Sequence, residues 1–207
     1  MGMPAREDER YTWDDYRSWD DKGRWEIIDG QVHAMSPAPS TRHQKIASRL
    51  TRSLEEHFDG KVCEVYPAPV DVKLSNRDMV QPDLVVVCDD KRILPTHIDG
   101  PPTLVIEILS PSTALYDRTK KLDLYARSGV KEVWLVTPYP SCIEVYLLDG
   151  DTYRFMHACG KDESFRSPSF PDLTLDLLHL FDFPLQPGEQ IQRVKESHPP
   201  YAPRKAE

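Results

Sequence analysis

The sequence predicts an α+β (α/β) fold in which one mixed central β-sheet is flanked by helices. Three observations carry this. Helical and strand-like patterns follow one another in the order helix, strands, helix, strands. Asp-Gly pairs at 29–30 and 149–150 separate adjoining strand-like runs, as hairpin turns do. The runs LVVVC and TLVIEIL are almost continuously apolar, which suits strands covered on both faces.

The elements can be justified in order. Thr12 opens a short helix with Asp15 as its capping-box partner, and Tyr16 and Trp19 anchor it. WEII (25–28) and QVHAM (31–35) form the first hairpin, and Pro37 and Pro39 then break the chain. Ser40 or Thr41 caps a helix running to about Phe58. Ile46, Ala47, Leu50 and Leu54 share its core sector, with His43 in the same sector near the start. Arg42, Lys45, Arg49 and Arg52 gather on a neighbouring sector, and no acid interrupts from 42 to 54. Strands are expected at 62–66, 70–74, 83–88 and 103–109, a second helix over about 115–128 stopped by Gly129, and strands at 133–136, 143–148 and 152–156.

At 207 residues the chain is long enough for one domain with a substantial core. Residues 1–11 are expected to be a disordered N-terminus, 12–186 the domain, and 187–207 a Pro-rich flexible tail. The net charge of −8 excludes a strongly basic nucleic-acid coat, though not a local basic face. No apolar run reaches the ~18–20 residues of a membrane span, and the first ten residues are too polar for a signal peptide. Cys63, Cys88, Cys142 and Cys159 show no CxxC spacing, so free thiols in a reducing cytoplasm are expected. No Gly-rich phosphate loop or HExxH motif points to another enzyme class or to an organic cofactor.

Three carboxylates stand out. Asp83 follows Pro82 at the entry to LVVVC, Glu107 interrupts LVIEIL, and Glu26 interrupts WEII. A carboxylate within an apolar strand is costly unless paired. A hard divalent cation is one partner and a buried Arg or Lys another, and the residues alone leave both open. Asp71-Val72-Lys73 is a literal D-x-K, but no suitable acid precedes it, and it reads as an exposed strand face.

The segments WEIIDGQVHAMSPAPSTRHQKIASRL, VQPDLVVV, PPTLVIEILSPST, YDRTKKLDLYARSGVKEVWLV and IEVYLLDGDTY together resemble the Uma-type family of the PD-(D/E)XK nuclease superfamily. The similarity spans roughly residues 12 to 183. The resemblance implies a restriction-endonuclease-like core with metal at the sheet edge. It makes Asp83 the Asp of the PD element and Glu107 the acid of the (D/E)XK element. Leu109 stands where the superfamily has Lys, and the family pattern passes that role to the following helix, here Lys121. Asp117, Lys121 and Tyr125 share one helix stripe, which agrees with that transfer. The resemblance also aligns Glu26 with the family's acid before the DG turn and His43 with a histidine after the MSPA element.

The implied activity is Mg²⁺- or Mn²⁺-dependent DNA endonuclease cleavage by metal-activated water. The ion would sit among Asp83, Glu107 and the carbonyl of Ile108, with Lys121 neutralising charge on the phosphate. The basic helix face from Arg42 through Lys45 and Arg49 to Arg52 would track the DNA backbone. A C2 homodimer is expected, with Trp13, Tyr16 and Trp19 supplying aromatic surface. The main alternative is a degenerate nuclease fold that binds DNA or protein without catalysis. A hydrolase of small phosphate esters is the weaker third reading.

Overall fold

The computed structural model describes residues 9–20, 23–35 and 38–184. Residues 1–8 and the tail 187–207 lie outside these. Tyr11, expected in the disordered N-terminus, is tied to the domain by its N–H to Gly30 O at 2.8 Å.

Helix α1 (Trp13–Arg17) begins with the expected Thr12/Asp15 capping box. Trp13, expected at a dimer surface, is instead buried against Ile27 and Met79, with Tyr11, Tyr16 and Trp19 half-buried around them at the edge of a small core. Strands β1 (Trp25–Ile28) and β2 (Gln31–Ala34) form the hairpin, and Asp29 (φ 53°) and Gly30 (φ 75°) give the paired positive φ of a tight two-residue turn. Helix α2 (Thr41–Phe58) starts at Ser40, whose side chain accepts the His43 N–H.

Then come β3 (Glu64–Pro67), β4 (Val72–Ser75), β5 (Asp78–Val80), β6 (Leu84–Val87), β7 (Ile98–Asp99) and β8 (Leu104–Ile108). The expected helix over 115–128 is interrupted. Helix α3 (Ala114–Tyr116) passes through a π-helical turn, Asp117–Lys121, into α4 (Leu122–Ser128). Gly129 (φ 85°) ends α4 as a left-handed cap. Strands β9 (Glu132–Thr137), β10 (Cys142–Asp149) and β11 (Thr152–Gly160) and helix α5 (Leu177–Leu180) complete the fold. Asp149 pairs with Thr152, so the last hairpin turns on Gly150 and Asp151, one residue later than expected.

The expected mixed central sheet is present, and a second, smaller sheet stands beside it. The larger has the order β11-β10-β9-β8-β6-β3 and the smaller β2-β1-β5-β4-β7. Each is mixed, through the parallel pairs β8/β9 and β4/β7. The extra sheet depends on β5 and β7, too short to leave a hydrophobic period in the sequence. The larger sheet is covered on both faces. Ile46, Leu50, Leu54 and Phe58 of α2 pack against Leu84, Val86, Leu104, Ile106 and Trp134. Leu124 and Tyr125 of α4 pack against Val85, Val105, Val133 and Leu135. The alternation along β6, β8 and β9 matches the two-residue strand period. Truncating fully buried Leu50 to Ala would cost about 2–5 kcal/mol.

The cysteines depart from expectation. Cys63 and Cys88 form a disulfide, while Cys142 and Cys159 are free. Cys63 precedes β3 and Cys88 follows β6, and the antiparallel pairing Glu64↔Val87 brings them side by side. That proximity needs the sheet register and is invisible in Cys spacing. Asp71 and Lys73 are half-buried rather than an exposed face. Asp71 accepts from Gln81 Nε2 at 2.8 Å, and Lys73 pairs with Asp99 at 3.4 Å. Among the described residues no helix is long and apolar enough to cross a membrane.

Candidate active site

Asp83 stands immediately before β6, and Glu107 is the fourth residue of β8. The antiparallel register Leu84↔Ile106 sets Asp83 opposite Glu107. Strand alternation puts both on the face covered by α4. Asp83 Oδ2 accepts the Ile108 N–H at 2.8 Å. Ile108 thus meets Asp83 through its amide.

His43, in the first turn of α2, brings Nε2 to 3.2 Å from Asp83 Oδ2. Its Nδ1 is buried without a partner among the described residues. The histidine therefore touches Asp83.

Lys121 is the hub. Its Nζ lies 2.8 Å from Glu26 Oε1, 3.0 Å from Glu107 Oε1 and 3.8 Å from Asp117 Oδ1. Tyr125 donates its hydroxyl to Glu107 Oε1, and the Gln81 N–H reaches Glu26 Oε1 at 3.0 Å. Glu26, Glu107, Asp117 and Lys121 are each about 95% buried or more. The π-helical turn holds Asp117 and Lys121, the two residues of that segment that are buried toward this cluster. The position after Ile108, where the superfamily has its lysine, holds Leu109, buried in the apolar core.

The electrostatics follow from burial and crowding. Glu107 is pushed up to about 8, chiefly by burial; Lys121 opposes this, while Asp117, Asp83 and Glu26 add to it. Burial also raises Asp117. For Lys121 burial favours the neutral amine, but Glu107, Glu26 and Asp117 outweigh it and hold the ammonium well above its ordinary range. Burial, then Glu107, keeps the Tyr125 phenol protonated.

Among the described residues, no three His, Cys, Asp or Glu side chains converge as a metal centre. The donor chemistry nonetheless fits a hard cation. Asp83 and Glu107 offer carboxylate oxygens on neighbouring strands, the hard donors that a divalent ion of this kind prefers. Of the two partners considered for a buried acid, the one present is the lysine: Lys121 is the buried cation of Glu26 and Glu107.

The model of the Uma2 family, described as "Putative restriction endonuclease", matches residues 13–178. The chain belongs to this family. An "Uncharacterized protein slr1290" of Synechocystis sp. is 33% identical over 142 residues, which cover 67% of this chain and 74% of that one. A crystal structure of "a putative nuclease belonging to DUF820" from Anabaena variabilis superposes with a TM-score of 0.66 at 21% identity. The match covers 82% of this chain and 97% of the other. It shows a shared fold, the restriction-endonuclease-like α/β core.

In this Uma2 protein the basic face of α2 is partly committed elsewhere. Arg49 donates to the carbonyls of His179, Leu180 and Asp182, and Arg42 to that of Pro184. Both guanidiniums lie over the Phe183 ring, 4.9 and 5.4 Å from its centre. Arg52 pairs with Glu56 at 2.8 Å. The sequence signal, four cations free of acids to residue 54, overlooked Glu56 and the returning C-terminal segment. Asp117 and Tyr125 were visible in the stripe with Lys121 but carried no role. Gln81 gave no signal, because its contribution is a main-chain N–H.

Proposed function

We propose that the protein is a metal-dependent endonuclease hydrolysing phosphodiester bonds in DNA. The observation that carries this reading is the pair Asp83 and Glu107 on adjoining strands, with a lysine from a different element on Glu107. Asp83, Glu107 and the main chain at Ile108 would hold Mg²⁺ or Mn²⁺. When bound, the ion supplies Lewis-acid charge and acidifies water. Lys121, a donor without lone pairs, neutralises negative charge gathering on the phosphate oxygens. Glu26 and Tyr125 fix the ammonium and Glu107, and His43 orients Asp83. Lys45 and Arg52 are the members of the basic face better placed to follow a DNA backbone, since Arg42 and Arg49 hold the C-terminal segment.

The test is incubation of plasmid and single-stranded DNA with Mg²⁺, Mn²⁺ or EDTA. Cutting that needs the ion and disappears in Asp83→Ala is expected. A melting curve of the variant is needed beside the assay, because Ala also leaves the Ile108 N–H and His43 Nε2 without their acceptor. One observation favours a second reading. The closure of Lys121 on Glu26 and Glu107 fits a binding module without catalysis, which would bind DNA under every condition and cut it in none. Cutting both strands would call for a C2 homodimer, and light scattering giving a mass near 23.8 kDa would overturn that.

A further inference from the structure

Buried polar atoms nearly always have hydrogen-bond partners, so each exception calls for an explanation. Among the described residues, His33 Nε2, His43 Nδ1 and Tyr116 Oη are three such exceptions. His43 belongs to the Asp83 flank. His33 and Tyr116 lie together on the other flank. His33 sits directly across from Glu26 in the β1/β2 register, and Tyr116 immediately precedes Asp117. Their rings are 5.2 Å apart. The two rings, from separate elements, thus pack beside the acid cluster, and among the described residues neither His33 Nε2 nor Tyr116 Oη has a hydrogen-bond partner.

Burial, then the charge of Glu26, raises the Tyr116 phenol far above its ordinary range, so the hydroxyl is a standing donor. A protonated phenol is a poor ligand for a cation. It suits an acceptor-only oxygen, and Lys120 beside His33 and Lys121 beside Tyr116 bring positive charge to a flank that Glu26, Asp117 and Glu107 also face. An oxygen of a phosphodiester is such an acceptor.

We propose that Tyr116 and His33 form the subsite for a backbone phosphate of the DNA, with the Tyr116 hydroxyl donating to a phosphate oxygen and the His33 ring fixing the phenol. This assignment rests on the nuclease reading of the same site.

Tyr116→Phe removes one oxygen and keeps the ring against His33. Three measurements are made on the full chain. They are thermal melting, binding of a short duplex in Ca²⁺, and plasmid cutting in Mg²⁺. The melting temperature should stay unchanged or rise, because an unsatisfied buried hydroxyl is lost. Duplex binding should weaken about tenfold, and cutting should slow about 10²-fold, the scale for losing one donor to a developing anion. His33→Phe, which keeps a ring and loses both nitrogens, should give a smaller loss of the same kind. Equal binding and cutting by Tyr116→Phe would overturn the proposal and leave water as the partner of these atoms. A lower melting temperature would overturn it too, marking Tyr116 as structural. If the unaltered protein binds duplex but never cuts it, the nuclease reading fails alone, and the binding ratio still decides the subsite. If it does not bind DNA at all, both fall.

Discussion

Lys121 Nζ donates to Glu107 Oε1 at 3.0 Å, and both side chains are buried. The lysine comes from the π-helical turn after α3, while Glu107 is central in β8. Leu109, two residues after Glu107, fills apolar space on the same face. The strand position two residues after the acid is thus aliphatic, and the positive charge reaches Glu107 from a helical segment instead.

Lys121→Met should abolish cutting and spare metal binding, because Asp83 and Glu107 remain. Without ions the variant should be less stable by about 3 kcal/mol, since removing one partner strands buried carboxylates. Mn²⁺ should restore much of that loss by replacing the missing positive charge. Lys120 is exposed and makes no contact with Glu107, so Lys120→Met should keep stability and metal binding and should cost cutting far less than Lys121→Met. Calorimetric Mn²⁺ titration beside plasmid assays checks this. Equal cutting by both variants would remove Lys121 from the mechanism.

His43 should act through Asp83. Its Nε2 at 3.2 Å fixes one carboxylate oxygen, and the Ile108 N–H fixes the same atom. His43→Ala should weaken Mn²⁺ binding about 10- to 100-fold, the usual effect of losing a group that orients a ligand. His43→Gln, which can still donate, should recover part of it. Unchanged Mn²⁺ affinity in His43→Ala would reduce the histidine to a packing residue of α2.

The shifted carboxyl of Glu107 gives a pH signature. Its folded pKa of about 8 lies above the ordinary 4.5. Between these values the folded state keeps a proton that the unfolded state has released. Stability from this group is therefore fully present below 4.5 and is lost as pH rises through 8. In EDTA, the melting temperature of the unaltered protein relative to Glu107→Gln should fall over that window. Saturating Mg²⁺ should flatten the fall. A difference constant from pH 4.5 to 8 would show that Glu107 is not held protonated.

Much of the site was legible because strand alternation and helix stripes are local. Asp83 and Glu107 are acids in apolar runs, and Asp117, Lys121 and Tyr125 recur every four residues. Family resemblance supplied the step from stripe to role. What the sequence hid depends on long-range pairing. The smaller sheet hangs on β5 and β7, Cys63 meets Cys88 only through the β3/β6 register, and the π-helical turn leaves the residue pattern unmarked. The aromatic residues of α1 were visible, but whether they faced a partner or their own core was decided by Met79 on β5.

The basic face of α2 makes the last prediction. Arg49 satisfies three carbonyls at and after α5 and lies over Phe183, so its work is to close the C-terminal segment on the domain. Arg49→Ala should lower stability by about 1.5–3 kcal/mol, the range for hydrogen bonds to a charged group. Any loss of DNA affinity should then only follow the loss of folded protein. Lys45 is exposed and carries no such duty, so Lys45→Ala should leave the melting temperature unchanged. If α2 follows the DNA backbone, that variant should reduce the slope of log affinity against log salt by about one unit, as one phosphate contact is lost. Arg52→Ala should do the same more weakly, because Glu56 already shares its charge. Thermal melts and duplex titrations at several salt concentrations separate the two kinds of residue. An unchanged slope in both Lys45→Ala and Arg52→Ala would move the DNA path off this helix, toward the flank of Lys120 and Tyr116.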